Sequence, residues 1–250
     1  MSEHDGWLSR YRRGERAQVW LELRQLGSRV REPGFAEEAG LVCDEMAHRA
    51  RHNIEVLVER LSDAGYRFHS NDHDQQPVAP FVAATAAAAG HAQWLDDTFG
   101  PVPLTVLSWV RLVGDVWFVG THPQAADSAA CDPLVIEIEG SRYPDASMRD
   151  FLVEELAVWR EQIDHNHYPR AFSLPVAPDR LHKADVSGGP PYGVVVPDGC
   201  ADALFVGETT MPFVSYLNWV FAHGGFPYTA GSSHEWWHVR RDLARDLLPL

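Results

Sequence analysis

The sequence predicts an α+β protein: an antiparallel sheet of about five strands with helices packed on one side, preceded by an N-terminal helical hairpin. Three observations carry this. Over residues 14–65 the apolar residues recur at threes and fours, the period of amphipathic helices. In the second half, short β-prone runs bounded by Gly, Pro and Asp alternate with helical stretches. Between them, residues 99–120 (FGPVPLTVLSWVRLVGDVWFVG) read as a helix end, a Pro-bounded turn, a short helix, a glycine stop and a buried strand. The domain organisation that follows is a helical hairpin over residues 1–66, a linker over 67–80 and an α+β domain over 81–250.

The first hairpin helix spans residues 14–30, with Val19, Leu23, Leu26 and Val30 on one stripe, and Pro33-Gly34 ends it. The second spans 35–65. Its stripe is Val42, Met46, Ala50, Ile54, Leu57 and Leu61, and Gly65 suits the left-handed residue after a helix. A short Pro-Gly connection makes the two antiparallel. Neither helix can bury its second face within the hairpin, so the hairpin packs on the later domain or on a second copy, as a homodimer. Residues 67–80 (RFHSNDHDQQPVAP) are polar, Pro-bounded and aperiodic, hence the linker.

Residues 80–99 are Ala-rich and helix-favouring. Leu104, Leu107, Val110 and Leu112 give a helical spacing beside Trp109. Gly114-Asp115 stops that helix, and 116–119 form a buried strand. Residues 121–132 are a loop and 134–138 a strand. A helix over 145–164 carries Leu152, Leu156, Trp159 and Ile163 on its stripe, with Asp145 as N-cap. Residues 170–175 are a strand and 180–189 a loop. Strands at 192–196 and 203–206 flank the turn residues Pro197-Asp198-Gly199. Residues 211–222 are apolar nearly all round, which predicts a buried helix, stopped by Gly224-Gly225.

The order helix, Val102-Pro103-Leu104, aromatic-bearing helix, Val113-Gly114-Asp115, strand resembles the core of the SUKH superfamily. That superfamily groups bacterial toxin-immunity proteins with relatives of a fungal cell-wall synthesis regulator. Here Val102-Pro103 stands where Leu-Pro is usual, and Gly114 alone marks the stop where the family often has two glycines. The resemblance covers roughly residues 93–226. It implies an antiparallel sheet with a late helix at 211–222, and a non-enzymatic immunity or regulatory adaptor that occupies a partner protein's active surface. The family's binding face varies between members, so the resemblance transfers no site residue.

Charge points the same way. The chain carries a net −14, of which −2 falls in residues 1–66 and −12 in residues 67–250. Such acidity repels phosphate backbones, which argues against nucleic acid, and favours a basic protein partner such as a nuclease toxin. It also serves plain solubility. The longest apolar runs are too short or too polar to span a bilayer. The opening MSEHDGW has neither the basic nor the apolar region of a secretory leader. Cys43, Cys131 and Cys200 are odd in number and far apart, so cytoplasmic thiols are expected.

The sharpest chemical motif is His234-Glu235-Trp236-Trp237-His238, an H-E-x-x-H match. On a helix, His234 and His238 share a face suited to zinc, with Glu235 as general base of a hydrolase. No His, Glu or Cys follows it, and Arg241 and Arg245 continue the same face, where they would repel a dication. Trp236, Val239, Leu243 and Leu247 form an opposite apolar stripe, so the tail reads as a packing helix. No catalytic, cofactor or metal site is therefore assigned, and the zinc hydrolase stands as the alternative. The remaining candidates read as structural. His48 and His52 lie on a solvated helix face, and His69, Asp72, His73 and Asp74 in a solvated loop. His165 and His167 lie at a helix end. Ser108 sits in an apolar helix. Ser187-Gly188-Gly189 is followed by two prolines where a phosphate-binding loop needs a helix. Cys200 lies between Asp198 and Asp202, which suppress a thiolate. Lys183 is the only lysine in the chain. It offers a nucleophile or an anion clamp, and reads first as part of a structural loop.

Overall fold

Apolar periodicity becomes buried faces, and the longest such run makes the longest helix. The computed structural model describes residues 6–125, 128–141, 147–163, 171–228 and 234–250. Its first helices are α1 (Trp7–Arg12), α2 (Arg16–Leu26) and α3 (Ala36–Asp63). α3 buries Val42, Met46, Ala50, Ile54, Leu57 and Leu61, the stripe that the spacing marks. α2 is shorter than its spacing predicts. Gly27 takes a φ of +57°, and the chain tightens into a 3₁₀ turn over Gly27–Arg31 that still buries Val30. α1 was not anticipated and lies against both α2 and α3. Its Arg10 pairs with Glu22 of α2 at 2.7 Å, and its Arg12 with Glu45 of α3 at 2.8 Å.

The chain continues through β1 (Arg67–Phe68), β2 (Phe81–Ala83), α4 (Ala88–Phe99), α5 (Leu104–Leu112), β3 (Gly114–Trp117), β4 (Gly120–Thr121) and β5 (Val135–Ile136). Then come α6 (Met148–Ile163), β6 (Phe172–Ala177), α7 (Arg180–Lys183), β7 (Tyr192–Val196), β8 (Leu204–Val206), β9 (Thr210–Pro212), α8 (Phe213–Ala222) and α9 (His234–Leu243).

The fold is mixed α and β with antiparallel pairing, but the expected five-stranded sheet does not form. Among the described residues the strands make a pair β1-β4, a three-stranded sheet β2-β3-β5 and a four-stranded sheet β6-β7-β8-β9. Asp115 supplies the physical reason. Its carboxylate accepts the backbone N–H groups of Ile138, Glu139 and Ser141 at 2.9, 3.1 and 2.7 Å. Those donors are satisfied by a side chain, so β5 ends after two residues. One backbone bond, from Glu137 N–H to the Val176 carbonyl (2.8 Å), is what then joins the end of β5 to β6.

Other boundaries move for similar reasons. Phe81 to Ala83 pair with β3 where a helix was expected, because Gly114 lacks a Cβ and lets the Val82 carbonyl approach. β3 accordingly starts at Gly114, while Phe118 and Val119 remain buried beyond its end. Met211 and Pro212 are extended in β9, and α8 begins only at Phe213. The expected loop after residue 180 starts as a short helix, since the Asp179 carboxylate accepts the N–H groups of Leu181 and His182 at 2.8 and 2.9 Å. The N-cap assigned to Asp145 lies outside the described residues, as do His165 and His167.

One hydrophobic core runs from Tyr11 to Leu250. α3 packs along α5, and Trp109 of α5 meets Phe213 of α8 edge-on at 5.7 Å. α8 buries Phe213, Val214, Tyr216, Leu217, Val220 and Phe221. Among the described residues no helix is long and apolar enough to cross a membrane.

Candidate binding face

α6 leaves three large apolar side chains exposed, Phe151, Val153 and Val158. It buries only Leu152 and Leu156. Trp159 packs on Phe172 of β6 at 5.7 Å between ring centroids. Arg149 lies over the Trp94 ring of α4 at 4.9 Å. These contacts leave the opposite flank outward. Phe151 is 44% exposed and Val158 41%. Glu154 and Glu155 sit three and four residues after Phe151, on the same side of the helix, and Glu161 follows Val158 by three. Among the described residues Asp150, Glu154, Glu155 and Glu161 take part in no ion pair. The result is a strip of alternating apolar and anionic groups.

Beside this strip opens a pocket of about 390 Å³. Met148 and Phe151 of α6 form one wall, and Pro175, Val176 and Ala177 of β6 the floor. Pro178 and Pro191 close the far side, and Glu137 and Ser147 are its polar residues. The pairing of β6 with β7 shifts register between Pro175 and Ala177. At that bulge the Val176 carbonyl accepts the Glu137 N–H. Pro175, Pro178 and Pro191 have no N–H, so they present no backbone donor to the pocket. Volume and lining are those of a site for a bulky apolar group.

The lone lysine is elsewhere and sealed. Asp179 caps α7 and directs Lys183 inward, where its Nζ lies 2.6 Å from Asp132 Oδ1, with the two side chains 0% and 2% exposed. The ammonium also lies 4.8 Å from the centre of the Tyr192 ring, and the Tyr192 hydroxyl donates to Asp132 Oδ2 at 3.4 Å. Burial, with the Asp132 charge adding to it, pushes the hydroxyls of Tyr192 and Tyr216 far above the ordinary phenol range. A space of about 10 Å³ lies beside this cluster, room for a single water at most. A paired, enclosed ammonium is neither a nucleophile nor a clamp for an incoming anion. It is a strut between α7 and the residues before β5.

The other candidates are dispersed. His48 and His52 are exposed on α3. His69 is buried and hydrogen-bonds Thr121 Oγ1 at 2.8 Å, Asp72 accepts the Ser70 hydroxyl at 2.7 Å, and His73 pairs with Asp185. Ser108 donates to Asp44 at 2.6 Å. Burial, aided by a hydrogen bond to Asp198, pushes the Cys200 thiol up to about 12. His234 starts α9, so the H-E-x-x-H stretch is helical, but the side chains of His234 and Glu235 lie outside the described residues. Trp236 is buried between Phe226 and His122, and Leu243 is buried with it, while Arg241 and Arg245 are exposed. Among the described residues no group of three His, Cys, Asp or Glu side chains is placed to hold a metal ion.

Sequence reasoning missed the α6 strip. Its signal was present: Phe151, Val153 and Val158 are apolar yet fall off the Leu152–Leu156–Trp159 stripe. The pocket had no such signal, because β6 and α6 meet only in three dimensions. No protein-family model matches the chain, and no curated protein or solved structure is significantly similar to it.

Proposed function

We propose that this protein is a non-enzymatic protein-binding module, an immunity or regulatory adaptor for a basic protein partner. The observation that carries the reading is how charge is distributed. Arg10, Arg12, Arg24, Arg31, Arg49, Arg51 and Arg111 each have a carboxylate partner within the chain. Among the described residues the surplus carboxylates of α6 do not. Those seven cations are neutralised internally while the α6 carboxylates face outward, an arrangement that steers and selects a positive partner. The resemblance to the SUKH superfamily supports the same reading, since α4, the Pro-bounded turn, α5, Gly114 and β3 follow one another in the order on which it rests. Three free thiols, two of them buried, suit a reducing compartment such as the cytoplasm.

The test is affinity capture from native lysate in low and high salt, with the captured protein identified and then purified. The expected partner is basic, binds the purified chain directly and is released by salt. Capture of acidic proteins, or retention regardless of salt, would overturn the reading. Because α9 places the H-E-x-x-H stretch on a helix, the zinc-hydrolase alternative is tested alongside. Stoichiometric zinc in protein purified without chelator, lost in His234→Ala, would overturn the preference for a non-enzymatic module. Light scattering in the same preparation addresses a homodimer through α2 and α3, where Leu21 and Leu41 are exposed.

A further inference from the structure

We infer that the α6 strip and the pocket beside it form the docking surface, and that its occupant is a linear basic segment of the partner carrying one bulky apolar anchor. This rests on the reading of the protein as a binder of a basic partner, and adds where and through what chemistry it binds.

Phe151 contributes both to the pocket wall and to the exposed strip, so the two are continuous. Desolvating an apolar anchor in a concave, proline-walled pocket supplies the hydrophobic gain that concentrates at the centre of an interface. Around it, charge complementarity names the rest of the occupant. Glu154 and Glu155 lie one helical turn from Phe151, and Glu161 one turn beyond Val158. Among the described residues these carboxylates have no cation of their own. Lysine or arginine placed three or four residues from the anchor would meet them. An acidic or phosphorylated segment would be repelled by the same groups. A neutral apolar segment would fill the pocket and leave the carboxylates uncompensated.

The face is also held in position. Arg149 fixes the first turn of α6 over Trp94, and Trp159 fixes the fourth on Phe172. The docking flank therefore needs no reordering of the helix when a partner arrives, which lowers the cost of association.

The experiment pans the whole protein against displayed random peptides of about twelve residues, a length that spans the strip whether extended or helical. The expected peptides share a bulky apolar residue with Lys or Arg three or four positions away. Their affinity falls by about tenfold or more in Phe151→Asp and in the pair Glu154→Lys/Glu155→Lys, and falls with salt. Glu59→Lys on α3, exposed and remote, leaves it unchanged. Phe151 is largely outside the core, so Phe151→Asp is expected to melt with the wild type. If it melts earlier, Val158→Asp takes its place. Basic peptides that bind but ignore these substitutions would overturn the surface while leaving the basic-partner reading intact. Enriched peptides without excess Lys and Arg, or no enrichment at all, would overturn both.

Discussion

At the scale of single residues, Lys183 teaches most. A lysine that is unique in its chain invites a chemical role, and its solitude is visible in the sequence. What it does depends on Asp132, fifty-one positions away, and on Tyr192 beneath it. Spacing cannot reveal such a pairing. Asp132 itself holds a φ of +56°, a conformation aspartate tolerates better than most side chains, so the position selects both the backbone and the charge. Lys183→Met leaves a buried carboxylate without its counter-ion, and should cost about 3–5 kcal/mol. The pair Lys183→Met/Asp132→Asn removes both charges and should cost less than Lys183→Met alone. Urea unfolding of the three proteins, compared at equal slope, checks the order.

At the scale of elements, one glycine and one carboxylate set the sheets. Gly114 takes a φ of +103° at the end of α5, and an added Cβ would strike the Val82 carbonyl of the paired strand. Gly114→Ala should therefore lose at least about 2 kcal/mol. Gly90→Ala, in α4 with open space around it, should gain about 0.5–1 kcal/mol through helix propensity. Thermal melts of the two variants should shift in opposite directions. The α1–α2 corner responds to acid. Arg10, then Gln18 and Trp7, hydrogen-bond the Glu22 carboxylate and hold it down at about 2. An unfolded glutamate titrates near 4.3, so this contact favours the folded state above that pH, and the benefit fades as pH falls toward 2. Glu22→Gln should flatten the loss of stability across that window in urea titrations at stepped pH. The helices here were legible from periodicity because a helix face is defined by neighbours three and four apart. The break between β5 and β6 was not, because Asp115 ends β5 from more than twenty residues away.

At the scale of the whole molecule, the two ends of the sequence share one core. Arg24 of α2 reaches the buried carboxylate of Asp202 at 2.7 Å. Asn53 of α3 accepts the Leu248 N–H at 2.7 Å and donates to its carbonyl at 2.8 Å. Removing residues 1–66 would strip α5 of its main neighbour and cut both ties. The shortened chain should fail to give a cooperative melt, whereas the full chain should unfold in one transition, with circular dichroism and tryptophan fluorescence coinciding. Sequence alone determined the α+β character, the stripe that α3 buries, the burial of residues 116–119 and of α8, and the surplus of negative charge. These are local or additive properties, readable from neighbours in the chain and from counting. Tertiary structure alone decided that the strands divide into separate sheets, that Lys183 is sealed, and that the α6 strip adjoins a pocket on β6. Each of those depends on which distant segments meet, and contact between distant segments leaves no period in the sequence.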